Sequence, residues 1–278
     1  MKYVVLGPTA SGKTAYAIAL AKQISGAVIS ADSRQVYAGM NIGAAKPQEA
    51  WKSAPHSIQT PDMVDGIPHY LLNIATPDAP ITLPEWLDAA KIVISQIEQE
   101  GRTPIIAGGT MLYIDALVDG YDIPNIEPNE TLRSELEAMP AETLYKRLLT
   151  ADPDALSFIE SHNTRRIIRA LEVMDATGKK FSQLRTKKTS DNQYIKIGIF
   201  SDFDTLRENV RKRAQEMMGM GLEEEKLQLQ KTYPNSPLLK TMNYKETTIE
   251  EMVQSNMRYV HRQMSWWKRR NDIGWICI

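Results

Sequence analysis

The sequence predicts an α/β fold, a parallel sheet flanked by helices, interrupted by a small all-helical insert. Three observations predict it. Strand and helix signals alternate through the first 119 residues, the pattern of parallel strands joined by crossover helices. The apolar run Tyr3-Val4-Val5-Leu6 enters Gly7-Pro8-Thr9-Ala10-Ser11-Gly12-Lys13-Thr14, a strand-to-helix turn of the form G-x-x-x-x-G-K-[ST]. After Gly120 the strand signals cease, and only helical periodicity continues until Ile195.

Each element has its own warrant. Lys13 to Ser25 reads as a helix with Ala17, Ala21 and Ile24 among its small or apolar positions, and Ala27 to Ser30 as a short buried strand running into Asp32. His69 to Ile74 is expected to form a further strand. Leu83 to Glu100 is helical: Thr82 and Glu85 form a capping box, Pro84 sits in the first turn, and Trp86, Leu87, Ala90, Val93, Ile94 and Ile97 make one stripe. Thr103 to Ala107 is a strand ending in Gly108-Gly109-Thr110. Gly120 to Glu130, rich in Pro, Asn and acids, reads as a linker. Thr131 to about Arg185 is helical in pieces broken by Pro140, Pro153 and Gly178. Ile195 to Phe200 restores a strand. Three or four helices follow, the last from about Ile249 to Arg269 capped by Thr248 and Glu251, and Trp275 to Ile278 reads as a final strand. The implied division is a core of residues 1–119 and 190–278 around an insert of residues 120–189.

The 278 residues suffice for one large domain or two modest ones, and 42% hydrophobic with 24% charged residues is ordinary for a soluble globular protein. A single cysteine, Cys277, excludes an internal disulfide framework and a cysteine-rich zinc site, and His56, His69, His162 and His261 lack metal-ligand spacing. No apolar run reaches membrane-spanning length, and the N-terminus enters a strand directly, so no membrane partner and a cytoplasmic location are expected. A monomer is the default expectation. Net charge is −1, but its distribution is uneven: Arg165 to Lys196 carries nine Lys/Arg against three acids, and Arg258 to Arg270 five against none. Such runs are commonly solvated faces; two of them near Tyr259, Trp266 and Trp267 also suit a polyanion partner.

The glycine-rich turn carries the first chemistry. Its backbone N–H groups converge on phosphate oxygens, the following helix adds the positive end of its dipole, Lys13 reaches the outer phosphate, and Thr14 is placed to hold Mg2+. The sheet is therefore expected to resemble that of P-loop NTPases and to bind a diphosphate or triphosphate. In an open parallel sheet ligands bind at the carboxyl ends of the strands. The turn, Asp32-Ser33-Arg34-Gln35 and Gly108-Gly109-Thr110 should therefore line one crevice. Asp32 is suited to accept a proton, to ligate Mg2+, or simply to cap a turn; Thr110 is alternatively a helix N-cap. The strand at Thr103 to Ala107 ends without the acid that triphosphate hydrolysis usually uses, so binding of a diphosphate is the firmer expectation.

Taken together, GPTASGKT, Ser30 to Pro47 (SADSRQVYAGMNIGAAKP), Ala107 to Tyr113 (AGGTMLY), Arg165 to Val173 (RRIIRALEV) and Arg262 to Arg270 (RQMSWWKRR) resemble, in that order and over nearly the whole chain, the bacterial tRNA dimethylallyltransferase family. The resemblance implies transfer of a dimethylallyl group from dimethylallyl diphosphate to N6 of the adenosine beside the tRNA anticodon. It implies Asp32 as base, Thr110 as its helper at the amine, and Arg213 approaching the diphosphate held by residues 7–14. It also implies that Asp32, Ser33, Arg34, Gln35 and Thr110, with Arg165, Arg166, Ile167, Ile168 and Arg169, contact the anticodon stem-loop. Phe203, Asn209 and Asn243 depart from the family pattern, which often has arginine at the first two positions and glycine at the third. Alternative readings are a P-loop kinase of a small metabolite, a prenyltransferase of free adenine nucleotides, and a non-catalytic RNA-binding protein.

Overall fold

The computed structural model describes residues 1–121, 126, 129–184 and 194–278. Most of the expected linker (122–125 and 127–128) and residues 185–193 of the first basic run lie outside the described residues. The chain forms two compact units, Met1–Val118 with Asp191–Ile278, and Asp119–Ser190.

The described strands are β1 (Lys2–Leu6), β2 (Gly26–Ser30), β3 (Asp62–Val64), β4 (Ile67–Tyr70), β5 (Thr103–Gly108), β6 (Tyr194–Phe200) and β7 (Gly274–Cys277). They form one sheet in the order β3-β4-β2-β5-β1-β6-β7, parallel except for the β3–β4 pair. The helices are α1 (Lys13–Ile24), α2 (Leu83–Gln99), α3 (Met111–Val118), α4 (Glu130–Glu137), α5 (Ala141–Ala151), α6 (Thr164–Thr177), α7 (Phe181–Leu184), α8 (Phe203–Gly219), α9 (Leu222–Thr232) and α10 (Ile249–Trp267). Val4, Val5, Val28, Ile29, Ile105 and Ile106 on the three central strands are all buried, as continuous apolar runs must be when a parallel sheet is covered on both faces.

The edge differs from expectation. The strand expected at His69–Ile74 is Ile67–Tyr70, because Leu71 and Asn73 adopt left-handed φ of 61° and 51°, which no extended strand accommodates. A second strand, β3, precedes it through a two-residue turn at Asp65 (φ 50°) and Gly66 (φ 76°), the geometry that suits a tight hairpin.

The register aligns the functional ends. Leu6 of β1 lies opposite Gly108 of β5, and Ser30 of β2 opposite Ala107. The residues that follow these strands therefore emerge side by side. The approach is close: a side chain at Gly108 would meet the Ala31 carbonyl at 2.2 Å, and one at Gly7 the Ile199 carbonyl at 2.2 Å.

The smaller unit has its own core, in which Leu136, Leu144, Leu148, Ile159, Ile167 and Leu171 are buried together. Buried Glu172 takes a bidentate bond from Arg133 (2.8 and 2.9 Å). Among the described residues no helix is long and apolar enough to cross a membrane.

Candidate active site

The phosphate-binding loop begins where β1 ends. Gly12 adopts φ 79°, and α1 starts at Lys13 with no side-chain cap, so its first-turn N–H groups remain available to an anion. Ala10 also has positive φ (62°), and its carbonyl accepts from Asn209 of α8 at 3.3 Å. Thus Asn209 meets the same loop despite departing from the family's frequent arginine. Lys13 bridges the loop, donating to the Pro8 carbonyl at 3.1 Å. Burial and the neighbouring Arg213 push its pKa down to about 8, against the opposing pull of Asp32. Ser11 is buried, and its hydroxyl has no partner among the described residues.

Thr9, Lys13 and Thr14 line a cleft of about 670 Å³, open mouth included, with Asp32, Gly109 and Arg213. The cleft thus brings the cations Lys13, Arg34 and Arg213 together with the carboxylate of Asp32. Asp32 Oδ1 accepts from the N–H groups of Arg34 (2.9 Å) and Gln35 (3.3 Å), so the residue does cap a turn. Among the described residues nothing is bonded to its Oδ2. Thr110 does not cap α3 with its hydroxyl; Oγ1 accepts from Ser33 N–H at 3.0 Å and lies 3.4 Å from Ser33 Oγ. Its N–H donates to the Ala31 carbonyl at 3.1 Å, clamping the β5 end to the β2 end. Gln35 is occupied internally, accepting from Ser30 Oγ at 3.0 Å and donating to the Ala45 carbonyl at 3.1 Å. Arg34 reaches Thr241 Oγ1 at 3.3 Å.

Residues that no phosphate motif marks hold these parts in place. Gln263 of α10, fully buried, accepts from Thr9 N–H at 2.9 Å and donates to the Gly109 carbonyl at 2.8 Å, joining the phosphate loop to the β5 end. Tyr259, one helical turn earlier, donates to the same carbonyl at 3.0 Å; burial, with Asp32 nearby, pushes its phenol up to about 12, so it stays a donor. Arg213 of α8 donates to Thr9 Oγ1 and, at 3.1 Å, to Asn256 Oδ1. Glu225 of α9 accepts from three successive N–H groups, those of Asn41 (3.0 Å), Ile42 (2.8 Å) and Gly43 (3.0 Å), and from Tyr244 Oη (2.9 Å). It fixes the Gly43–Ala45 segment that forms another part of the cleft wall.

These contacts revise two expectations. The basic run Arg258–Arg270 is not one free cationic face. Arg270 is paired with Asp115 at 2.9 Å, Trp266 donates to the same carboxylate at 2.6 Å, and Trp267 is fully buried. In the smaller unit Ile167 and Ile168 are core residues, so their side chains cannot contact RNA in this arrangement; Arg165 and Arg166 are exposed beside them. Arg169 lies 3.7 Å from Glu172 and 3.4 Å from the Ile126 carbonyl.

The model of the IPP transferase family matches residues 35–270, and that of isopentenyl transferases residues 1–54. This chain belongs to the IPP transferase family. The tRNA dimethylallyltransferase of Geobacillus kaustophilus is 35% identical over 98% of this chain and 89% of its own length. The full-length tRNA isopentenylpyrophosphate transferase of Bacillus halodurans superposes with a TM-score of 0.67 at 32% identity, covering 99% of this chain and 89% of that one. A eukaryotic dimethylallyltransferase solved acting on tRNA shares the fold, with a TM-score of 0.80 at 23% identity over 99% of this chain and 73% of that one.

Within this IPP transferase the donor set suits Mg2+. The Thr14 hydroxyl lines the cleft and offers a hard oxygen ligand, and Mg2+ characteristically takes one or two protein oxygens, completing its shell with phosphate and water. No group of three His, Cys, Asp or Glu side chains able to hold a metal occurs among the described residues.

Proposed function

We propose that this IPP transferase moves the dimethylallyl group of dimethylallyl diphosphate to N6 of the adenosine beside the tRNA anticodon, releasing diphosphate. The observation that carries the reading is that Asp32 shares one cleft with Lys13, Thr14 and Arg213. As the allylic C–O bond breaks, its electron pair and negative charge pass to the diphosphate. The first-turn N–H groups of α1, Lys13 and Arg213 stabilise that charge. The Thr14 hydroxyl would hold Mg2+, whose charge would further neutralise the leaving diphosphate.

The adenine amine is a weak nucleophile because its lone pair is delocalised into the ring. Asp32 takes one N6 proton as the new C–N bond forms, through the oxygen its turn does not use. Thr110 orients the amine and, through Ser33, keeps the Asp32 turn against the β5 end. Only an unstacked base brings N6 to such a cleft, so the tRNA enters with this adenosine turned out of the anticodon loop. Arg34 on the cleft side, and Arg165, Arg166 and Arg169 of the smaller unit, are the basic side chains for the loop phosphates. The chain works in the cytoplasm, where tRNA is modified, and as a monomer.

A small-metabolite kinase would want an acid at the end of the strand beside β1, and β5 ends in Gly108-Gly109-Thr110 instead. The deciding experiment incubates the chain with unmodified tRNA, Mg2+ and labelled dimethylallyl diphosphate, then digests the tRNA to nucleosides. The expected result is label on N6 of adenosine with release of one diphosphate per transfer. Label remaining wholly in the diphosphate ester would overturn the reading.

A further inference from the structure

Asn243 is buried in a left-handed conformation (φ 71°), a region that glycine enters freely and asparagine at moderate cost. Backbone geometry alone would thus favour glycine, and the side chain present must contribute something else. It makes two hydrogen bonds. Nδ2 donates to the Gly43 carbonyl at 2.8 Å, and Oδ1 accepts from Asn256 Nδ2 at 2.7 Å. Asn256, itself buried on α10, also donates to the Met252 carbonyl at 2.8 Å and presents its Oδ1 to Arg213.

The polarity of this chain of bonds is set at both ends. A carbonyl only accepts, so Asn243 must turn its NH2 toward Gly43 and its oxygen toward Asn256. A guanidinium only donates, so Asn256 must turn its oxygen toward Arg213. One orientation of both amides satisfies every group, and flipping either one sets donor against donor. The guanidinium so held donates in turn to Thr9 Oγ1 in the phosphate loop.

We propose that Asn243 is a positioning residue for the leaving diphosphate: through Asn256 it fixes the guanidinium of Arg213 against Thr9, and through Gly43 it ties that cation to the Gly43–Ala45 segment of the cleft lining. This rests on the reading that Arg213 faces the diphosphate. A merely structural asparagine would weaken every ligand or none. A relay acts only through Arg213.

The test is a double-mutant cycle on the full chain, titrated calorimetrically with inorganic diphosphate and Mg2+. Asn243→Gly keeps the left-handed backbone and removes both bonds. It is expected to weaken diphosphate binding about tenfold in the unaltered chain, but less than about twofold in an Arg213→Met background, the non-additivity of residues in one network. Affinity for an anticodon stem-loop RNA should stay within about twofold. Equal losses in both backgrounds, no loss at all, or no effect of Arg213→Met would each overturn the proposal. Asn256→Ala cuts the relay one bond nearer Arg213 and reads the same way should the glycine variant not fold. The cycle requires no prenyl transfer. A chain that shows the non-additivity yet transfers nothing would overturn the reaction and support the relay.

Discussion

One carboxylate oxygen of Asp32 is committed to its own turn and the other is not, and this division separates its two roles. An asparagine in its place would keep an oxygen for the Arg34 and Gln35 N–H groups while removing the base. Asp32→Asn should therefore slow transfer at least about a hundredfold with little change in melting. Asp32→Ala should lose the same rate and also about 1 kcal/mol of stability with the cap. Single-turnover transfer and thermal melting separate the two, and near-normal transfer by Asp32→Asn would remove the carboxylate from the chemistry. Lys13 makes a second prediction. Its pKa, pushed down to about 8, means the free chain sheds this proton as pH rises through that value. A diphosphate favours the charged form, so binding above pH 8 should take up close to one proton and weaken as pH climbs. Calorimetry in buffers of different ionisation enthalpy measures the uptake, and Lys13→Met should abolish it.

At the scale of elements, α10 lends Tyr259 and Gln263 to the cleft lining. Gln263 bonds both the Thr9 N–H and the Gly109 carbonyl, so Gln263→Leu leaves the Thr9 N–H buried and unpaired, at a cost of about 2 kcal/mol, and lets the phosphate loop drift from the β5 end. Melting temperature and kcat should both fall while the RNA-facing surface is unchanged; a fall in melting temperature with kcat intact would deny the helix any part in alignment. The strand ends were readable because they rest on local signals: an apolar run, a glycine turn, an acid. The contribution of α10 was not: Arg262 to Arg270 stands among the motifs that carry the family resemblance, but Gln263 lies 254 residues from Thr9 and nothing local says that its side chain reaches back to the phosphate loop. The hairpin edge was readable in principle. Asp65-Gly66 between two apolar pairs is a strong tight-turn signal, whereas the apolar residues Leu71 and Leu72 misleadingly extend the strand past Tyr70. The insert helix shows the same limit. Its basic and apolar residues share one short motif, and only packing reveals that Ile167 and Ile168 turn inward.

For the whole molecule, a net charge of −1 averages over an uneven distribution of charge, and in the proposed reading Lys13 and Arg213 serve the diphosphate while Arg165 and Arg166 serve the RNA. Cations that neutralise phosphates release counterions, so replacing Arg165 and Arg166 together with Gln should weaken tRNA binding and flatten its dependence on log salt by about 0.7 to 0.9 for each phosphate no longer neutralised. Diphosphate affinity should not move. Equal flattening with a non-cognate RNA is expected as well, since these side chains read charge and not sequence; an unchanged slope would remove them from the interface. The carboxylate of Glu225 bears on a different question, that of where an anion is allowed to settle. Three converging N–H groups at Asn41–Gly43 would be a trap for phosphate in their own right, and the protein has stoppered that trap with a side chain of its own. An incoming anion consequently finds those three N–H groups already taken.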